Sequence, residues 1–289
     1  MTNSPRRLIV VTGLSGAGKT VVLNALEDLD YYCIDTLPIG LLTEFLRQGQ
    51  EADQGLYTKM VIGIDARNPL HTLCKFPDLL DELESHGIGV ELIFVEADDE
   101  TLFQRFSETR RKHPLSREGV SLSSAIQRER ELLSTLRNRA NLRIDTTHTH
   151  VHQLRDLVRE RIAKRRSGAL SLQFISFGYK NSIPHDADFV FDVRCLPNPH
   201  WEPQLRDYTG CDQPVIEFLE RSPLVQEMVQ RISAFLGFWI PQFEAENRSY
   251  LTVAVGCTGG HHRSVYIVRQ LGSHFSALGK IVLVTHRDI

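Results

Sequence analysis

The sequence predicts an α/β fold: an N-terminal P-loop NTPase/kinase-like parallel-sheet domain, then a second α/β domain. Three observations lead there. Short apolar, β-branched runs alternate with amphipathic helical patterns along the chain, as parallel sheets covered by helices require. A Gly-rich string fitting G-x-x-x-x-G-K-[ST] separates the first strand from the first helix. The length of 289 residues fits two domains at roughly 150 residues each.

The elements follow in order. Residues 8–11 form a continuous apolar run, as expected of a strand buried on both faces. Residues 13–18 turn, and 19–29 read as a helix with Val22, Leu23, Leu26 and Leu29 on one face. Further strands are expected at 31–34, 60–64, 92–95 and 142–144. Helices are expected at 41–47, 78–86, 100–111, 125–139 and 151–163. Lys164, Arg165, Arg166, Ser167 and Gly168 show no apolar period, and the boundary is placed there. Residues 1–166 are the expected nucleotide-binding domain, and 167–289 an α/β domain with an anion-binding loop. That second half reads as strands at 170–177, 189–193, 250–255 and 281–284, with helices at 224–238 and 264–275.

Composition narrows the function. Lys plus Arg is 33 and Asp plus Glu 36, a net charge of −3, which argues against a strongly basic nucleic-acid-coating protein. The 5 cysteines, Cys33, Cys74, Cys195, Cys211 and Cys257, are odd in number and form no CxxC, so reduced thiols are expected. No apolar stretch reaches membrane-spanning length, and the N-terminal run is too short for a signal peptide. A soluble, cytoplasmic protein is expected.

The first chemical motif is Gly13, Leu14, Ser15, Gly16, Ala17, Gly18, Lys19 and Thr20. Its glycines let the backbone curl with N–H groups inward, and the next helix adds its positive N-terminus. Lys19 is expected to reach the β and γ phosphates, and the Thr20 hydroxyl to ligate Mg2+. A carboxylate must stand near that ion; Asp35, Asp65, Glu96 and Asp98 all lie at strand ends. Asp65 leads into Ala66, Arg67 and Asn68, whose side chains could read a base or a phosphate. Arg105, Arg110 and Arg111 suit a lid over phosphates, or merely a solvated basic face.

The second motif is Cys257, Thr258, Gly259, Gly260, His261, His262, Arg263 and Ser264, between a strand and a helix. Its C-x5-R-S spacing makes another oxyanion cradle with a guanidinium. Phosphotyrosine-phosphatase-like enzymes use this arrangement to hold a nucleophilic thiolate. Three readings stand: a phosphate or sugar-phosphate pocket, a cysteine phosphatase, or a structural turn. Gly256 stands where such phosphatases usually carry His. His200 and His185 are candidates to line the same pocket. The alternating His148, His150 and His152 lack a matching acid or thiol and read as solvated.

GLSGAGKT (13–20), YYCIDTLP (31–38), IDARN (64–68), RFSETRRKHPL (105–115), SFGYK (176–180), DADFVFDVRCLPNPHW (186–201) and GCTGGHHRSV (256–265) together resemble the RapZ/YvcJ family of bacterial P-loop nucleotide-binding proteins. The resemblance covers nearly the whole chain. It implies ATP and GTP binding with weak ATPase and GTPase activity, ATP at 13–20 and GTP at 65–68. It further implies a C-terminal domain that senses glucosamine 6-phosphate and, in some enteric members, a tetrameric adapter presenting a small regulatory RNA to a ribonuclease. Those adapters end in a Lys/Arg-rich tail. This chain ends Val284-Thr-His-Arg-Asp-Ile289, leaving Lys280, His286 and Arg287 as the expected RNA contacts. On chemistry alone a small-molecule P-loop kinase fits the first domain equally well.

Overall fold

The computed structural model of the chain describes residues 7–51, 59–116, 120–163, 170–246 and 248–289. The chain divides into two compact units, residues 1–163 and 164–289. The polar stretch 164–168 read as the boundary lies outside the described residues.

The first unit runs β1 (Arg7–Gly13), α1 (Lys19–Glu27), β2 (Tyr32–Ile34), α2 (Leu42–Glu51), β3 (Lys59–Gly63), α3 (Leu70–Ser85), β4 (Gly89–Glu96), α4 (Asp99–Thr109), α5 (Leu122–Arg139), β5 (Leu142–Asp145) and α6 (Val151–Val158). The five strands are parallel in the order β2-β3-β1-β4-β5. Central β1 buries Ile9, Val10 and Val11 completely, which is why its run is apolar without alternation. Its flanking strands follow it in sequence in opposite directions across the sheet. The Gly-rich loop therefore opens at a topological switch point, where open α/β sheets bind ligands.

Helix α3 begins eight residues before the expected start at 78 and runs through Pro77. Pro77, just before the expected start, cannot donate to the carbonyl one turn back. Leu73, Phe76, Leu80 and Leu83 form one buried stripe across that break and hold the helix on the core.

The second unit runs β6 (Ser171–Gly178), β7 (Phe189–Asp192), α7 (Gln213–Glu220), α8 (Pro223–Ala245), β8 (Tyr250–Cys257), α9 (Arg263–Ala277) and β9 (Ile281–His286). Its four strands are parallel in the order β7-β8-β6-β9. Every residue of β8 is buried, and Leu251, Val253 and Val255 pack into the core with Leu172, Phe174 and Leu236. Helix α7 was not expected, because its eight residues are too few for a clear period. The chain is α/β throughout, a P-loop parallel-sheet domain followed by a second α/β domain. Among the described residues, no helix is long and apolar enough to cross a membrane.

Candidate functional site

The loop of residues 13–20 is fixed by its glycines. Gly13 has φ 136°, and a Cβ there would lie 2.0 Å from the Val95 carbonyl oxygen. Gly18 caps α1 in the left-handed region at φ 107°. The Leu14 N–H donates to Val95 O at 3.0 Å, tying the loop to β4. Lys19 opens α1 and folds over the loop: its Nζ donates to Gly13 O at 2.7 Å and Leu14 O at 3.0 Å. Burial lowers the Lys19 pKa, while Glu129 and Asp65 pull it the other way. Thr20 is exposed on the first turn of α1.

One carboxylate reaches the loop that sequence reasoning missed. Glu129, fully buried on α5, accepts the Ser15 N–H at 2.8 Å on Oε2 and the Ser15 hydroxyl at 2.7 Å on Oε1. His113 Nε2 lies 3.1 Å from the same Oε2. The Leu115 N–H donates to His113 Nδ1 at 3.1 Å, so Nε2 is the nitrogen that carries the proton toward Glu129. Burial pushes the Glu129 carboxyl up, but His113, Lys19 and Ser15 together bring it below its ordinary value. An ionised carboxylate therefore sits on an amide of the anion nest. One sequence signal could have found it: Glu129 falls on the buried stripe of Ala125, Ile126, Leu133 and Leu136. A charge on an apolar stripe needs partners, and here they are the loop and His113.

The other acids divide into two groups. Asp35 and Asp65 both act electrostatically on Lys19, as does Arg67. Glu96 is buried against Arg137, 2.6 Å away, and Asp98 accepts the Thr101 N–H at 2.8 Å as the N-cap of α4. Those two are committed to structure. Within residues 65–68, Asp65 and Asn68 are buried, and so is Ala66. Asp65 accepts Arg67 Nε at 2.7 Å. Asn68 Oδ1 accepts the Ile39 N–H at 2.9 Å, and its Nδ2 donates to Asp65 O at 3.3 Å. Its amide braces two main-chain segments. Arg67 is the exposed member and donates to Thr36 Oγ1 at 2.7 Å.

Arg105 is drawn to the loop from α4. It donates to Gly16 O at 3.2 Å and to Thr146 O at 2.7 Å, and the Thr146 hydroxyl donates to Ala17 O at 2.8 Å. Arg110 and Arg111 are exposed.

In the second unit the loop between β8 and α9 curls at Gly260, φ 82°. Cys257, Thr258, Gly259, His261, His262, Arg263 and His200 line one pocket of about 470 Å³ with Lys180, Asn198, Trp201 and Arg206. The Cys257 thiol accepts the Gly260 N–H at 3.3 Å and lies 3.2 Å from Ser264 Oγ. Arg263 is buried; its Nη1 donates to Arg194 O at 2.8 Å and Leu196 O at 3.1 Å. His262 Nε2 lies 3.3 Å from Leu205 O, and burial lowers its pKa, so it stays neutral.

The structure does not gather Lys280, His286 and Arg287 into a free basic face. Lys280 pairs with Glu244 at 2.7 Å. His286 Nδ1 lies 2.9 Å from Ser176 Oγ, and burial lowers its pKa. Arg287 donates to Ser182 O at 2.6 Å and Asn181 O at 2.9 Å. No group of three His, Cys, Asp or Glu able to hold a metal occurs among the described residues, His148, His150 and His152 included.

Residues 6–166 match the profile described as the RapZ-like N-terminal domain, and residues 170–289 that of the RapZ C-terminal domain. A nucleotide-binding protein of Nitrosococcus oceani is 53% identical over 283 residues, covering 98% of this chain and 99% of its own. One of Alkalilimnicola ehrlichii is also 53% identical over 283 residues, with 98% of each chain covered. Among solved structures, a sugar kinase from Janibacter sp. HTCC2649 aligns over 54% of this chain and 93% of its own, at 19% identity and a TM-score of 0.37.

Proposed function

The chain belongs to the RapZ family, and from that premise we propose a regulatory nucleotide-binding protein that hydrolyses ATP or GTP weakly and senses a phosphorylated sugar in its second domain. One observation carries the reading: the glycine-fixed loop of residues 13–20 with the Lys19 ammonium lying across it. That loop fits a triphosphate tail because its conformation admits backbone close to an anion and no side chain at Gly13.

Binding then asks for two local moves. Lys19 leaves the carbonyls of Gly13 and Leu14 for phosphate oxygens. A γ-phosphate approaching Ser15 meets the Glu129 carboxylate, and like charges at that range repel. Slow turnover follows from such opposition. Thr20, with Asp65 or Asp35, would hold Mg2+, which neutralises charge on the β and γ phosphates when bound. Arg105 stands by as the lid cation. The GTP reading of residues 65–68 rests on Asp65 and Arg67, since the Asn68 amide is already engaged.

In the second domain, the pocket of Arg263 and the loop amides suits a phosphate, and His200 with Lys180 suits a sugar's hydroxyls. Calorimetry of the full chain with ATP, GTP and glucosamine 6-phosphate tests both halves. Lys19→Ala should weaken nucleotide binding alone, and Arg263→Ala sugar-phosphate binding alone. Opposite outcomes would reverse the assignment of pockets to domains.

A small-molecule kinase is the second reading, favoured by Arg105 over the loop. An acceptor that speeds ADP release by orders of magnitude would establish it. An RNA-adapter role would draw on Lys280, His286 and Arg287, each of which would first have to give up or share its intramolecular partner. Gel-shift titration with salt tests it; binding lost below physiological salt excludes it.

A further inference from the structure

The loop after β8 does more than cradle an anion. The Cys257 sulfur accepts the N–H of Gly260, three residues on, at 3.3 Å. It lies 3.2 Å from the hydroxyl of Ser264, seven residues on. Arg263, six residues on, is 4% exposed. Two carbonyls clamp its Nη1, and Nη2 is 3.3 Å from Thr258 Oγ1. Its Nε is buried without a hydrogen-bond partner. A buried cationic N–H is costly to leave unmatched, and a phosphate oxygen on the loop would match it. Thiol, hydroxyl and guanidinium thus stand in the relation that cysteine-dependent phosphate-ester hydrolysis needs: nucleophile, thiolate donor and phosphate clamp.

The missing histidine before the thiol has a steric cause. A Cβ at Gly256 would lie 2.4 Å from the Phe177 ring and 2.6 Å from that of Tyr179. No side chain fits there, so support for a thiolate must come from Ser264, Gly260 and Arg263 instead.

We propose that Cys257 is a nucleophile and that the second domain hydrolyses a phosphomonoester through a cysteinyl-phosphate intermediate. This rests on the reading of the same loop as a phosphate site. The thiolate electron pair attacks phosphorus; the S–P bond forms as the ester P–O bond breaks. The leaving alkoxide takes a proton from the imidazolium of His200, which lines the pocket. Water then attacks phosphorus and gives its proton to that imidazole. The S–P bond breaks, phosphate leaves, and the thiolate returns. Burial alone would raise the Cys257 pKa, but the Ser264 and Gly260 hydrogen bonds and the Arg263 charge bring it below the ordinary thiol value. Arg263 holds the equatorial oxygens through both displacements.

The test uses the full-length protein with p-nitrophenyl phosphate and glucosamine 6-phosphate as substrates, and inorganic phosphate as the binding probe. The expected result is a p-nitrophenol burst of one per chain, with a phosphoryl group on the Cys257 peptide after acid quench. Cys257→Ser should lose at least 100-fold in turnover, an order of magnitude typical of a removed nucleophile, yet still bind phosphate. If wild type and Cys257→Ser turn over both esters equally while both bind phosphate, the proposal is overturned and the binding reading stands. If wild type binds neither phosphate nor the esters, the binding reading fails and takes the proposal with it.

Discussion

The two Gly-rich loops solve one geometric problem with different cations and different occupants. Residues 13–20 and 257–264 each follow an inner strand of a parallel sheet and lead into a helix. In the first, a carboxylate meets a loop amide, Glu129 on Ser15. In the second, a thiol does, Cys257 on Gly260. The first cation is Lys19, a flexible ammonium resting on two carbonyls that it can leave. The second is Arg263, whose plane two other carbonyls already fix. On the proposed reading, the first loop must rearrange to take an anion, whereas the second is set before an anion arrives.

The contrast can be broken most forcefully at Gly13. Gly13→Ala puts a Cβ 2.0 Å from Val95 O at a positive φ, and should cost roughly 3 kcal/mol or more in denaturant titration. Gly259→Ala, whose nearest neighbour is the movable His261 ring at 3.4 Å, should cost less than about 1 kcal/mol. Equal losses would mean that the loops are not differently constrained.

Next comes the cation. Lys19→Ala should weaken triphosphate binding about 10- to 100-fold by calorimetry, the worth of one charge-assisted contact. Lys19→Arg should recover little, because the ammonium's compactness lets it fit over the loop.

Glu129 sharpens the comparison with the opposite sign. Glu129→Gln removes the charge that opposes a γ-phosphate, so triphosphate affinity should rise, by about tenfold if the lost repulsion is near 1.4 kcal/mol. The same change bears on acid stability. The Glu129 pKa is lowered in the folded protein, so its contribution is present above the unfolded value and fades as pH falls through the folded one. Below roughly pH 4.3, the ordinary glutamate value, wild type should lose stability that Glu129→Gln never had. Parallel pH–stability curves would refute the carboxylate's ionised state.

The smallest expected effect is at the thiol. Alkylation of Cys257 by iodoacetamide should reach half its maximal rate below the ordinary thiol value of about 8.5. Ser264→Ala should move that midpoint upward. No movement would mean that the hydroxyl does not support the thiolate.

Legibility followed the range of each interaction. The conformation of the Gly13–Thr20 loop was legible because it is built from consecutive backbone atoms and the residue types that permit them. The same holds for the turn from Cys257 to Ser264. Glu129 and His113 were missed because their roles depend on α5 meeting the loop across 114 residues. Asp98 qualified by its place at a strand end, yet its carboxylate caps α4. Asn68 was expected among the ligand contacts; that its amide also braces two main-chain segments was not visible in sequence. Lys280, His286 and Arg287 stand where the resemblance places RNA contacts, and the partner each meets within the fold is one that only packing supplies. The expected helix at 78–86 missed the first turns of α3: Pro77 has a local cost, and the buried stripe that outweighs it appears only in the packed structure.

The sequence by itself determined the α/β class, the resemblance to the RapZ/YvcJ family and the position of both Gly-rich loops, since these depend on short-range periodicity and on glycines at fixed offsets. Tertiary structure alone decided which charges face those loops: Glu129 and Arg105 at the first, an Arg263 with an unmatched Nε at the second. A side chain's charge is written in the sequence, but its partner is chosen by the folding of distant segments against one another.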